Sequence, residues 1–351
     1  MKTVGSDWQR RAERLAAACP PERLHPAVRA RATRLRGPWV VAFSGGADSL
    51  ALLLLVWAHW PAARARLHAV HFNHRLRGAA ADRDEAFCRR VGAALGIRVH
   101  VGRRRSTQTL RSETAARAAR FAYFDRVLNR LGAKALWLGH QQNDVAESLL
   151  LRLARGSGTG GLAAPRPVQA MHAGRLHLRP LLDLPHATLE AWLKAARIPW
   201  REDATNATGD HFRNRLRREV IPAWTRAADR DVLAGAARSR ELLAEDDAAL
   251  EAWADAVAGR VPPRRLELAR LHGLPGAVTR RILHRWLQRV PERPDLSRQA
   301  FAQLLAAVCA GRATRQSLGS VGFAVIRGGL LEYRRTLGNG GKPRKIMVPA
   351  N

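Results

Sequence analysis

The chain of 351 residues has an ordinary apolar fraction of 46%, but 60 Lys plus Arg stand against 29 Asp plus Glu, a formal charge of +31. Only five of those bases are lysine, and a GC-rich genome explains that choice; it does not explain bases outnumbering acids two to one, for which a polyanionic partner, nucleic acid, is the simplest cause. Cys19, Cys88 and Cys309 sit far apart and form no Cys-x-x-Cys pair, which argues against a disulfide framework and a zinc knuckle. With no apolar leader and no apolar run longer than Leu50 to Ala58, a soluble, cytoplasmic protein without a membrane partner is expected.

Residues 1–36 read as an Arg/Ala-rich helical leader interrupted by Pro20, Pro21 and Pro26. From Trp39 a βα rhythm begins, with strands expected at Trp39–Phe43, Leu67–His71, Ile97–Val101 and Ala135–Leu138. Helices are expected at Ser49–Trp60, Ala80–Leu95, Ser112–Leu131 and Asp144–Arg155. Such alternation implies an α/β fold: a parallel sheet with helices on both faces, Rossmann-like, whose ligands sit beyond the carboxyl ends of the strands. Gly156 to Gly161 reads as flexible, Leu176–Leu182 as a short strand and Pro185–Arg197 as a helix. A mainly helical linker over Arg213–Ala258 leads to a smaller α+β C-terminal domain, helical through 262–310 and then a β-hairpin or meander over Gln316–Arg335. The expected organisation is a leader at 1–36, a catalytic domain at 37–225, an accessory domain at 226–335 and a disordered tail at 336–351.

The most informative string follows the first strand: Ser44-Gly45-Gly46-Ala47-Asp48-Ser49, leading into a leucine-rich helix. Glycines let backbone amides approach a ligand, and a helix start offers unpaired N–H groups, so this is an anion site suited to pyrophosphate, with Asp48 a candidate for Mg²⁺. It is neither a Walker loop nor a dinucleotide fingerprint. After the second strand, His71, Asn73, Arg75 and Arg77 suit nucleotide or RNA contact; His71 and His74 alone make an incomplete metal set. Asp82, Asp84 and Glu85 complement a helix dipole, and Cys88 reads as core. Arg117 and Arg120, three apart, share a helix face and suit phosphate or RNA, or else a solvated salt-bridged face. Asp144 and Glu147 share a face at a helix start, able to hold Mg²⁺ or an ammonium group, or simply to cap the helix. Arg213, Asn214, Arg215, Arg217 and Arg218 form a dense basic helix start suited to RNA phosphates.

The Ser-Gly-Gly-x-Asp-Ser string resembles the PP-loop signature of the ATP pyrophosphatase superfamily. In order, His71-Phe-Asn-His-x-Leu-Arg77, Glu113-x-x-Ala-Arg117-x-x-Arg120-Phe-x-Tyr-Phe124, Gly139-His-x-x-x-Asp144-x-Ala-Glu147, Arg155-Gly-Ser-Gly-x-x-Gly-Leu162, Arg179-Pro-Leu-Leu182 and Asp203-x-x-Asn206 with Arg213-Asn-x-x-Arg217 make residues 37–225 similar to the tRNA(Ile)-lysidine synthetase family. That resemblance implies a PP-loop, adenine nucleotide α-hydrolase-like fold and ATP with Mg²⁺ as cofactors. It implies free L-lysine and the isoleucine tRNA with a CAU anticodon as partners, lysine being ligated to C2 of the wobble cytidine through an adenylated intermediate. It places Ser44, Gly45, Gly46, Ala47, Asp48, Ser49, His71 and Asn73 at the nucleotide, and Asp48, Arg117, Asp144 and Glu147 in catalysis. Arg75, Arg77, Arg120, Arg213, Asn214, Arg217 and Arg218 fall to RNA. Asn143 departs from the family's usual acidic residue at that place. A tRNA thiolase fits the scattered cysteines poorly, an amidotransferase would need a glutaminase domain, and a tRNA-binding protein with a degenerate site fits poorly with an intact PP-loop. No protein partner is evident and a homodimer stays open.

Overall fold

In the computed structural model of this chain, residues 4–104, 113–202, 212–259, 265–290, 294 and 296–335 are described. Two helices lead in: α1 (Val4–Ala18), then α2 (Pro26–Ala32), which starts at a proline whose missing N–H costs nothing there. Next come β1 (Trp39–Ala42), α3 (Ala47–His59), β2 (Leu67–Asn73), α4 (Ala79–Leu95), β3 (Arg98–Arg103), α5 (Glu113–Leu131), β4 (Ala135–Trp137) and α6 (Gln142–Leu153). The glycine segment read as flexible instead carries a helical turn, α7 (Thr159–Leu162), held by Arg152 donating to the Gly161 carbonyl at 2.5 Å. Then follow β5 (Val168–Ala170), β6 (Leu176–Leu178) and α8 (His186–Ala195).

The six strands order as β3-β2-β1-β4-β6-β5, all parallel except the short edge strand β5, which pairs antiparallel with β6 and was not foreseen. A central parallel strand is buried on both faces, so β1 reads as an unbroken apolar run. Trp39 and Val41 belong to the core shared with α1, α3, α4 and α8, while Val40 joins Phe124, Val127 and Leu128 of α5 on the other face. Helix α3 is apolar all round for the same reason: Leu50 through Leu55 are each fully buried. The leader packs on the sheet's helical layer through Leu15, Leu24 and Val28.

Beyond α8, residues 212–227 form α9, whose middle, Leu216–Val220, has π geometry. Pro222 is the cause: it lacks an N–H and its ring would crowd the carbonyl four residues back, and a π-turn opens that register. Helix α10 (Val232–Ala258) follows. The chain divides into two compact units at Ala244/Glu245, inside α10. Physically, Ala236 packs with Ala146, Leu149 and Ile221, whereas Asp247 and Glu251 pair with Arg281 at 2.6 Å and 3.0 Å. The second unit adds β7 (Arg265–Glu267), α11 (Gly276–Arg289), α12 (Arg298–Cys309), β8 (Thr314–Ser317), β9 (Gly322–Arg327) and β10 (Leu330–Arg335), with an antiparallel sheet ordered β7-β10-β9-β8. Its core gathers Trp286, Leu283, Leu304 and Leu331. The tail at 336–351 lies outside the described residues. Among those residues no helix is long and apolar enough to cross a membrane.

Candidate active site

Strand order reverses between β1 and β4, and the loops after those strands face one another there, as open α/β sheets dictate. After β1 the chain turns sharply: Gly45 sits at φ 95°, a conformation strained for any side chain. A Cβ there would also meet Cys88 Sγ at 3.3 Å and Arg201 Cγ at 3.4 Å. The turn is stitched by its own hydroxyls. Ser49 Oγ accepts the Ser44 N–H at 3.1 Å and donates to the Gly46 carbonyl at 3.0 Å, while Ser44 Oγ lies 2.9 Å from Ser49 Oγ. The first-turn amides of α3 are thus presented at the mouth of a stiffened loop, where a helix start favours an anion.

The β4 side comes into direct contact with this loop. A Cβ on Gly139 would lie 2.9 Å from the Asp48 carbonyl oxygen and 3.2 Å from Ser49 Cα, so the strand-end segment and the α3 backbone touch. Helix α6 then begins with a capping box: Gln141 Oε1 accepts the Asn143 N–H at 2.5 Å, and Asp144 Oδ2 accepts the Gln141 N–H at 3.0 Å. Asp144 keeps its other oxygen for Arg213 Nη2, at 2.9 Å. Glu147, fully buried, accepts from Arg213 Nε and Arg217 Nε, both at 2.7 Å. Asn143 Oδ1 accepts the His186 N–H at 3.1 Å, joining α6 to α8. His186 in turn places Nδ1 at 2.7 Å from Asp48 Oδ1 and Nε2 at 3.3 Å from Glu190 Oε1. Its hydrogen bond to Asp48 raises its pKa above the usual histidine value.

On the β2 side, buried Asn73 donates to Asp82 Oδ1 at 3.0 Å and Glu85 Oε2 at 3.2 Å, and its own oxygen accepts the Arg75 N–H at 2.8 Å. Asp84 takes Arg77 on one oxygen and Arg201 on the other, each at 2.7 Å. Glu85 binds Arg103 through two hydrogen bonds at 2.7 Å and 2.9 Å, and those hydrogen bonds hold its pKa at about 2. His71 Nδ1 lies 2.9 Å from the Phe43 carbonyl, and burial lowers its pKa. Burial also raises the Cys88 thiol, which leaves it an unreactive core group.

These walls enclose a cleft of about 700 Å³, lined by Ser44, Gly46, Asp48, Ser49, His71, Asn73, Arg77, Asp84, Arg120, Gly139, Asp144, His186, Arg201 and Arg217, among others. That volume suits a nucleotide. A PP-loop domain model matches residues 24–224 and a TilS substrate binding domain model matches residues 266–325. The tRNA(Ile)-lysidine synthase of Geobacter sulfurreducens is 41% identical over 222 residues, 60% of this chain and 45% of that protein. The one from Salinispora arenicola is 36% identical over 332 residues, 92% of this chain and 96% of the relative. The chain belongs to the tRNA(Ile)-lysidine synthase family. It spans about half the length of several curated relatives it matches, at 44% to 46% of each. A solved U34-tRNA thiolase, NcsA from Methanococcus maripaludis, shares the fold, with a TM-score of 0.50 and 16% identity over 69% of this chain and 79% of that one.

Measured against this family pattern, Ser44, Gly46, Ala47, Asp48, Ser49, His71, Asn73, Arg77, Arg120, Asp144 and Arg217 line the cleft. Gly45 shapes the turn from behind. Exposed Arg75 and Arg218, along with Arg117, Glu147, Arg213 and Asn214, are not in its lining. Arg117 stacks over the Phe121 ring at 4.8 Å instead. Asn73, expected at the nucleotide, spends its side chain organising the β2–α4 loop, and Arg213 and Arg217, expected on RNA, clamp the acidic pair. Asp84, read as a helix-dipole residue, is the junction of two arginines. Sequence reasoning missed His186, Glu190 and Arg201: the His186–Asp48 contact joins residues 138 apart, beyond any local spacing rule. Asp203 and Asn206 lie outside the described residues.

Among the described residues, His25, Asp183 and Glu241 are the one grouping with metal-ligand spacing. His25 Nδ1 accepts the Ala27 N–H at 3.2 Å, and Nε2 faces Asp183 and Glu241 at 3.9 Å and 4.0 Å, beyond hydrogen-bond reach. Buried Arg240 lies 3.8 Å and 3.5 Å from the same two carboxylates, so a cation of the chain's own already faces the trio.

Proposed function

We propose that this chain uses ATP to ligate free L-lysine to C2 of the wobble cytidine of the CAU-anticodon isoleucine tRNA. The observation that carries the reading is the contact of Gly139 with the Asp48 backbone, which brings the PP-loop and the acidic start of α6 to one cleft. The α3 amides, with Gly45 and Gly46 keeping the backbone open, cradle the ATP phosphates. Ser44, Asp48 and Ser49 offer hard oxygen donors that fit Mg²⁺ together with phosphate oxygens. Bound there, the ion would neutralise phosphate charge.

Chemically, the cytidine O2 attacks the α-phosphorus and pyrophosphate leaves, which makes O2 part of an AMP leaving group. The lysine ε-amine, in its neutral form, then attacks C2. Its proton passes to a carboxylate as the C2–O2 bond breaks and AMP departs. Asp144 suits the amine because it lines the cleft, and Arg213 stands beside it at 2.9 Å. Glu147, fully buried behind it, fixes Arg213 and Arg217 at 2.7 Å. Arg120 at the cleft and Arg117 behind it supply positive charge toward the activated nucleotide.

The decisive experiment incubates the chain with ATP, labelled lysine and a CAU-anticodon isoleucine tRNA transcript, followed by nucleoside mass analysis. Lysidine with release of AMP and pyrophosphate is expected. ATP hydrolysis without base modification would overturn the reading.

A further inference from the structure

A second hollow, also of about 700 Å³, opens behind the catalytic cleft between the leader helix and α4. Its walls are Trp8, Phe87, Val91, Pro199 and Trp200, and Arg90 and Arg201 stand at its edge. Trp8 and Phe87 meet edge to face, with centroids 6.0 Å apart. Both tryptophans are only half-buried, and Arg90 is exposed. Cations flank the rings: Arg11 lies over Trp8 at 5.6 Å and Lys194 over Trp200 at 5.8 Å. Trp200 and Arg201 also line the catalytic cleft, so the two spaces share a wall. Trp8 precedes the segment that matches the PP-loop family model, so this wall is contributed by the chain's own leader.

We infer that this aromatic hollow is a stacking site for an unpaired RNA base lying near the nucleotide in the cleft, with Arg90 taking its phosphate. Large flat rings half-open to solvent give any base a stacking partner, and arginine at the edge supplies the charge for the backbone. A chain carrying +31 draws polyanions to such a site rather than neutral ligands. The inference rests on the reading that the substrate is RNA, and it adds a second anchoring point beside the reacting base.

The test uses the full chain, a heptauridylate, and an abasic heptamer of the same backbone, with tryptophan quenching and direct titration as readouts. Heptauridylate is expected to quench fluorescence and to bind better than the abasic strand. Trp8→Ala and Arg90→Ala, neither of which touches the catalytic cleft, should each weaken heptauridylate binding roughly tenfold. Trp8→Ala should leave the abasic strand unchanged, and ATP binding should be intact in both. Arg90→Ala removes only an exposed side chain, so it reads the site even if Trp8→Ala perturbs the leader. Equal binding of the two strands to wild type, or unchanged heptauridylate affinity in both variants, overturns the inference. Free UMP saturating the hollow as tightly as the heptamer overturns it too, by making this a small-molecule pocket. If wild type binds neither the heptamer nor tRNA, the RNA reading itself has failed; if tRNA binds but the variants match wild type, only the stacking site has.

Discussion

Single side chains decide whether the cleft works, and Gly139 shows it most plainly. A methyl group there would sit 2.9 Å from the Asp48 carbonyl oxygen, closer than packed atoms tolerate, and the blocking atom is backbone that cannot swing aside. Gly139→Ala is therefore expected to displace the start of α3, weaken ATP binding at least tenfold and cost about 1–3 kcal/mol of stability; isothermal titration and urea unfolding would read both, and wild-type ATP affinity would sink the argument. Asp48→Asn and Asp144→Asn keep the shape of the cleft but remove charge. Each should lower lysidine formation by about 10² or more while tRNA affinity stays within twofold in a filter-binding assay. Near-normal turnover in both would place the chemistry elsewhere. Glu85 acts on stability instead. Its pKa in the fold, about 2, lies below the ordinary 4.5, so its stabilisation is complete above pH 4.5 and fades as the pH falls toward 2. Glu85→Gln should lose about 2 kcal/mol at neutral pH and flatten the stability profile across that acid window, as pH-resolved urea melts would show.

At the level of elements, much of the first unit could be read from the sequence because its signals are local. β1 and α3 are buried on every side, which forces unbroken apolar runs, and Ser-Gly-Gly is the shortest way to turn between them. β5 could not be read: Val168–Ala170 is two half-buried residues and one exposed one, with no alternation long enough to register. Nor could the unit boundary, since α10 has no composition break where its partners change. The site was half legible for a related reason. Asp144 and Glu147 announce themselves by spacing, but which cations face them depends on where α9 docks, and Arg213, Arg217 and Arg218 look alike in sequence. The fold separates them. Arg213 secures fully buried Glu147, so Arg213→Ala leaves a buried carboxylate underpaired and should destabilise the unit by about 3 kcal/mol. Arg218 is exposed, and Arg218→Ala should shift stability by less than about 0.5 kcal/mol while reducing the salt slope of tRNA binding by about one. Thermal melts and salt-series titrations would separate the two, and an Arg213→Ala protein as stable as wild type would remove α9 from the site.

Over the whole molecule, the excess charge has to be reconciled with how acids are used. Many carboxylates are consumed in place: Asp84 by Arg77 and Arg201, Glu85 by Arg103 and Arg89, Glu147 by Arg213 and Arg217, Asp247 and Glu251 by Arg281. Internal pairing of this kind neutralises one base for each acid at most, so the surplus of +31 has no internal counterion and must be balanced by mobile anions or by a ligand. Binding tRNA releases the counterions held by the phosphates it neutralises, and the dependence of log K on log salt has a slope near −0.9 per phosphate contact. A tRNA neutralised at about six phosphates or more gives a slope of about −5 or steeper, which is the value expected. Because backbone charge is independent of sequence, a tRNA lacking the CAU anticodon should bind more weakly yet show nearly the same slope. A slope shallower than about −2 for the cognate tRNA would mean the positive surface faces something other than the substrate, and the charge would then need a different partner.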